Sequence, residues 1–179
     1  MCLGGQSSRG AKQIAAHLDR IPHKTYVEPF FGNGDVWKRM RNHSEREVLN
    51  DLDCGRIKRA KQGICSIQDK KPCEELKKAH TTCGKDYKPF LRRYDSKDTM
   101  MYLDPPYHDK AQSQDYKHKG LDFDGFVASV RGVKNAKVAI SYSNNKDFRK
   151  EFCNDGFTCH SIKKNMFAHE YKEILAVKR

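Results

Sequence analysis

Asp104-Pro105-Pro106-Tyr107 is the stretch of this chain best equipped for chemistry. It presents a carboxylate, a carbonyl at Pro105 that no following helix will use, and the flat face of an aromatic ring. Two prolines cannot continue a hydrogen-bonded ladder, so the chain must turn at Asp104. The two acceptors and the ring match a flat base carrying an exocyclic amine, which has two hydrogens to donate and a face to stack. A second candidate is Glu28-Pro29-Phe30-Phe31-Gly32-Asn33-Gly34-Asp35. Its glycines let backbone pass close beneath a ligand. It lacks the Gly-Lys-Ser/Thr of a phosphate loop, and Glu28 and Asp35 would repel phosphate. Acids beside a glycine turn suit a cation instead, such as the sulfonium of S-adenosylmethionine. Asp51 lies 17 residues after Gly34, where an acid closing the next strand can take ribose hydroxyls. It could equally cap the helix that follows.

The elements that must position these groups can be read from periodicity. A helix with Ile14, Leu18 and Ile21 on one face is expected after Gly4-Gly5-Gln6, closed by Pro22. Residues 25–31, 47–50, 99–103 and 137–142 read as buried strands, and residues 157–162 and 171–177 as a closing antiparallel hairpin. Helices are expected to start at Val36, near Asp86-Tyr87, at Phe123 and around Phe148–Phe152. Residues 54–82 read as a largely helical stretch in which eight lysines and arginines face three acids. Residues 108–120 are polar and without periodicity, and read as a loop above the turn at Asp104. Strands alternating with helices predict a doubly wound, mostly parallel α/β sheet of the Rossmann-like kind with a C-terminal antiparallel hairpin. Residues 1–179 read as one domain, with 54–82 as a small basic insert.

Composition narrows the partners. The net charge of +12 favours a polyanion, with Arg56, Lys58, Arg59, Lys61, Lys110, Lys117 and Lys119 as candidate phosphate contacts. No apolar run of about 18 residues occurs, which predicts no membrane span. The 7 cysteines are odd in number and form no Cys-x-x-Cys pair. A disulfide framework or a zinc site is therefore not expected, and reduced thiols in a cytoplasmic compartment are.

Taken in order, Gly4-Gly5, Glu28-Pro29-Phe30-Phe31-Gly32-Asn33-Gly34, Asn50-Asp51 and Asp104-Pro105-Pro106-Tyr107 resemble the Dam-type (D12 class) adenine-N6 DNA methyltransferases. The likeness runs from residue 4 to a last strand at Lys172-Glu173-Ile174-Leu175. It implies an S-adenosylmethionine site lined by Phe31, Gly32 and Gly34, a ribose held by Asp51, and an adenine bracketed by Asp86 and Tyr87. It implies a target base, flipped out of duplex DNA, against Asp104, Pro105 and Tyr107. Two departures stand out: lysine follows the family's glycine pair where this chain has Gln6, and the family's recognition insert is usually much larger than residues 54–82. Cytosine N4 of DNA is an alternative substrate, since its amine presents the same donors, and adenine of RNA is a third. A nucleic-acid binding module without activity is an alternative of another class. A homodimer could supply further reading surface, and a restriction-linked, viral or regulatory role is open.

Overall fold

A computed structural model of the chain describes residues 8–106, 121–154, 156–166 and 169–179. Its centre is one seven-stranded sheet in the order β3-β2-β1-β4-β5-β7-β6. Strands β1 (Thr25–Glu28), β2 (Arg46–Asp51), β3 (His80–Cys83), β4 (Thr99–Leu103) and β5 (Lys137–Ser143) run parallel. Strand β7 (His169–Lys178) lies antiparallel between β5 and β6 (Thr158–Met166). This is the doubly wound sheet with a terminal hairpin that the periodicity predicts.

The sheet is buried on both faces because alternate residues of each strand feed different helical layers. Tyr26, Leu49, Met100 and Tyr102 pack with α1 (Ser8–Leu18), α2 (Cys54–Ser66) and α3 (Lys71–Lys78). Val27, Val48, Met101 and Leu103 pack with α4 (Lys88–Arg93), α5 (Phe123–Arg131) and α6 (Lys146–Phe152). All five residues of β4 are buried, which explains the uninterrupted apolar run in the sequence.

Several local expectations need correction. The helix expected from Val36 shortens to one 3-10 turn, Trp37–Arg39. There the Trp37 indole donates to Glu47 Oε2 at 2.7 Å, fixing the segment against the start of β2. Within the stretch expected to be helical, His80–Cys83 instead forms the edge strand β3. Residues 54–82 thus form two helices and a strand of the sheet, and α2 buries Ile57, Ala60 and Ile64 in the core. The loop expected at 108–120 lies outside the described residues.

The expectation of reduced thiols is also overturned. Six of the 7 cysteines form three disulfides: Cys54–Cys83, Cys65–Cys73 and Cys153–Cys159. Folding creates these pairs rather than sequence spacing. The β2/β3 register sets Asp51 beside Cys83, and α2 begins at Cys54, so two residues 29 positions apart meet. With six thiols oxidised, the cysteines do not point to a reducing compartment. Among the described residues no helix is long and apolar enough to cross a membrane.

Candidate active site

The carboxyl ends of β1, β2 and β4 open on the same edge of the sheet. Between β1 and β4 the strand order reverses direction, and in open α/β sheets ligands bind at such a point. The turn after β1 is held from below by β2. Phe31 N–H donates to the Asn50 carbonyl at 2.8 Å, and Gly32 N–H donates to Asp51 Oδ2 at 2.7 Å. Both turn glycines have positive φ, 54° at Gly32 and 63° at Gly34. They serve different needs. A Cβ on Gly34 would stand 2.6 Å from the Phe31 ring, whereas one on Gly32 would meet nothing within 4 Å. Gly34 is therefore required by packing, and the space above Gly32 is open to a ligand.

Asp51 sits at the carboxyl end of β2, mostly buried, with Oδ2 on Gly32 N–H and Oδ1 accepting from Asp53 N–H at 2.9 Å. Burial raises its pKa, partly opposed by those two backbone hydrogen bonds. Each carboxylate oxygen has two acceptor directions, so both can also receive hydroxyls. Asp51 does not cap α2. That task falls to Asp53, whose side chain accepts from Gly55 N–H at 2.8 Å. Beside Asp51, Leu52 is 47% exposed, a large apolar side chain left in solvent at the rim of the site.

Asn50 ties the loops together. Its Nδ2 donates to the carbonyls of Pro29 at 3.2 Å and Lys85 at 2.9 Å, and its Oδ1 accepts from Thr82 at 2.9 Å. The Cys54–Cys83 disulfide and a bond from Gly84 N–H to the Asp51 carbonyl at 3.0 Å close the same region. Asp86, exposed just beyond, accepts from Lys88 N–H at 2.8 Å at the start of α4. Tyr87 is buried, its ring 5.1 Å from Phe30 and 5.7 Å from Phe126. It therefore shapes the core beneath the loop, while Asp86 faces outward.

At the end of β4, Asp104 is half-buried and Pro105 buried. Ser141, fully buried on β5, donates to Asp104 Oδ1 at 2.8 Å, and Tyr102 Oη lies 2.9 Å from the same hydroxyl. Glu28, buried at the end of β1, accepts from Tyr26 at 2.8 Å. Its pKa is raised well above the usual value, chiefly by burial, with the charge of Asp104 contributing. The pKa of Tyr102 is likewise raised well above its usual value, by burial and by the nearby charge of Asp104. The sequence signalled Asp104 through its prolines. It gave no sign of Ser141, which only the β4/β5 register brings alongside.

Other expected site residues are dispersed. Phe31 points inward, 6.0 Å from Trp37, and Asp35 is paired with Lys38 at 2.6 Å and Arg39 at 3.4 Å. Asn33 is half-buried on the turn, and Pro106 half-buried beyond Pro105. Arg56 and Arg59 reach Asp53 at 3.9 and 3.8 Å, Lys61 donates to Thr81 at 2.6 Å, and Lys58 is exposed on α2. Gly4, Gly5, Gln6, Tyr107, Lys110, Lys117 and Lys119 lie outside the described residues. Among the described residues no group of His, Cys, Asp and Glu could hold a metal ion.

No family model matches the chain, and no curated protein matches it. Solved structures do. The methyltransferase domain of bacterial CtHen1 superposes with a TM-score of 0.61 at 11% identity, over 96% of this chain and 97% of that one. An SAM-dependent O-methyltransferase from Thermotoga maritima gives 0.57 at 15% identity, over 94% of this chain and 64% of that one. Magnesium protoporphyrin IX methyltransferase from Synechocystis, with bound SAM, gives 0.55 at 10%, over 95% and 80%. The fold is the Rossmann-like methyltransferase fold. At these identities the likeness is one of architecture.

Proposed function

We propose that the chain is an S-adenosylmethionine-dependent methyltransferase acting on the N6 amine of adenine in DNA. The observation that carries this reading is the placement of Asp104-Pro105 at the end of β4, beside the β1 glycine turn. A carboxylate for an amine and an open backbone turn for a cofactor thus share one edge of the sheet. The residues present fit an adenosyl group. Gly32 leaves open space, Asp51 keeps acceptor capacity for ribose hydroxyls, and Leu52 offers an apolar surface for a purine. When bound, S-adenosylmethionine supplies an activated methyl group on a cationic sulfur.

The chain's own contribution is alignment and charge. The exocyclic nitrogen of adenine is a weak nucleophile because its lone pair is delocalised into the ring. Asp104 and the Pro105 carbonyl would accept its two hydrogens, concentrating the lone pair on nitrogen and fixing its direction. Such positioning and placed acceptors together are worth several kcal/mol or more. A base within a duplex must flip out to reach this edge, at roughly a few kcal/mol. On this reading the net charge of +12 favours a nucleic-acid partner.

The test is to incubate the protein with S-adenosylmethionine and duplex DNA, digest to nucleosides, and identify any methylated product by mass. N6-methyladenosine of the deoxy series is expected. N4-methylcytosine, or product only from RNA, would replace adenine-N6 of DNA as the substrate while keeping the chemistry. No methylated nucleoside from any nucleic acid would overturn the reading.

A further inference from the structure

Away from the glycine turn, a groove of about 460 Å³ runs along the edge strand β3 beneath α4. Arg46 and His80 line its lower end, Lys85 its upper end, and Arg93 and Tyr94 its wall. The Arg46 and Arg93 guanidinium carbons lie 5.3 and 5.9 Å from the centre of the Tyr94 ring. Phe90 stacks on the same tyrosine at 6.3 Å and 18°, so the ring is fixed from behind. Two guanidinium groups are thereby held in place before any ligand arrives, which lowers the entropy lost on binding.

These cations differ from those of α2. Arg56 and Arg59 lean on Asp53, and Lys61 is engaged with Thr81. Among the described residues no carboxylate pairs with Arg46, Arg93 or Lys85. The groove's one acid, Asp86, already accepts from Lys88 N–H. The charges are also spread out. The four-residue β3 alone spans about 13 Å, so one phosphate cannot satisfy both ends, whereas a polymer of phosphodiesters can. Asn50 binds the Lys85 carbonyl, which joins the groove's upper end to the loops around Asp51.

We infer that this groove is a docking track for the nucleic-acid backbone, with Arg46 and Arg93 as a clamp preset by Tyr94 and Lys85 as its outlet toward the active site. This rests on the nucleic-acid reading above, but it assigns the contact to the β3 edge rather than to α2.

The experiment is a salt titration of a fluorescein-labelled, mixed-sequence DNA duplex against four proteins. These are the wild-type chain, Arg46→Gln/Arg93→Gln, Lys58→Gln/Arg59→Gln and Arg46→Lys/Arg93→Lys, with thermal melts to check each fold. Loss of two phosphate contacts predicts that the groove variant binds at least about tenfold more weakly, with a log–log salt slope shallower by about 2. The α2 variant should stay close to wild type. Arg46→Lys/Arg93→Lys should recover the salt slope but not the full affinity, because lysine lacks the planar fork. If the groove variant binds like wild type, or the α2 variant loses as much, the track is wrong while the nucleic-acid reading stands. If the wild-type chain holds no duplex, the track and the reading of duplex DNA as substrate both fall. Competition by inorganic phosphate at concentrations near the duplex's own dissociation constant would mark a simple anion site and also overturn the proposal.

Discussion

Ser141 Oγ stands 2.8 Å from Asp104 Oδ1 and 2.9 Å from Tyr102 Oη. A serine hydroxyl has one proton, and it is given to the carboxylate, so Tyr102 must donate to Ser141. The result is a buried line of hydrogen bonds from the middle of β4, through β5, back to the end of β4. It fixes the rotation of the Asp104 carboxylate. Ser141→Ala should lower methyl-transfer turnover by about 1.5–3 kcal/mol, or roughly ten- to hundredfold, the range for a hydrogen bond to a charged group. Affinity for S-adenosylmethionine should hold, and Ser141→Thr should restore most of the turnover. Single-turnover rates and calorimetry separate the two effects. Turnover within twofold of wild type would remove Ser141 from this role.

Asp51 and Asp53 lie two residues apart and should fail in different ways. Asp51→Ala should weaken S-adenosylmethionine binding by about 1–3 kcal/mol, since buried partners lose their acceptor. Asp53→Ala removes the α2 cap and should lower stability by about 1 kcal/mol with little change in affinity. Calorimetry and urea unfolding on both variants would show the crossover, and equal loss of affinity in the two would contradict it.

Glu28 gives a pH dependence of defined sign. Its folded pKa is raised above its unfolded value by burial, so the folded chain holds the proton more tightly. Its contribution to stability is full below the unfolded pKa of about 4.3 and declines as pH rises through the folded pKa. Glu28→Gln keeps an acceptor for Tyr26 but cannot ionise. The variant should gain stability relative to wild type as pH is raised from acid to neutral, measured by urea midpoints across that range. A difference that stays constant with pH would refute this.

The Cys54–Cys83 disulfide closes a loop of 29 positions, for which chain entropy alone gives about 3–4 kcal/mol of stability. Cys54→Ser/Cys83→Ser should lower the melting temperature and also weaken S-adenosylmethionine binding, because the bridge joins the loops bearing Asp51 and Asp86. Reductant should have the same two effects on the wild-type protein. A melting curve unchanged by reductant would mean the bridge contributes nothing.

How far the sequence reveals this molecule depends on burial. β4 was readable because both its faces are covered, leaving an unbroken apolar run before Asp104. β3 was not, because His80-Thr81-Thr82-Cys83 is polar and only half covered at the sheet edge, so nothing marked it against the helices before it. Asp51 was legible as a strand-ending acid, but its division of labour with Asp53 depends on which N–H groups each reaches. Ser141 and the cysteine pairs depend on strand register, which neighbouring residues in the sequence do not encode. Tyr87 shares the apolar spacing of Phe90, Leu91 and Tyr94, and it packs against Phe30 and Phe126 as that spacing predicts, while the adjacent Asp86 is exposed.

The order of strands at the far side of the sheet bears on how the chain is made. β7 follows β6 in sequence yet lies between β5 and β6. During synthesis from the amino end, β6 emerges with no strand to join, and the outer edge of β5 stays bare until β7 has cleared the ribosome. That edge carries Val138, Ala139 and Ile140, all fully buried in the finished protein, and an uncovered apolar strand edge invites pairing with another chain. Nascent chains halted before about residue 170 should therefore be sticky and dependent on chaperones, and release of the last strand is the step that makes the protein safe from its own copies.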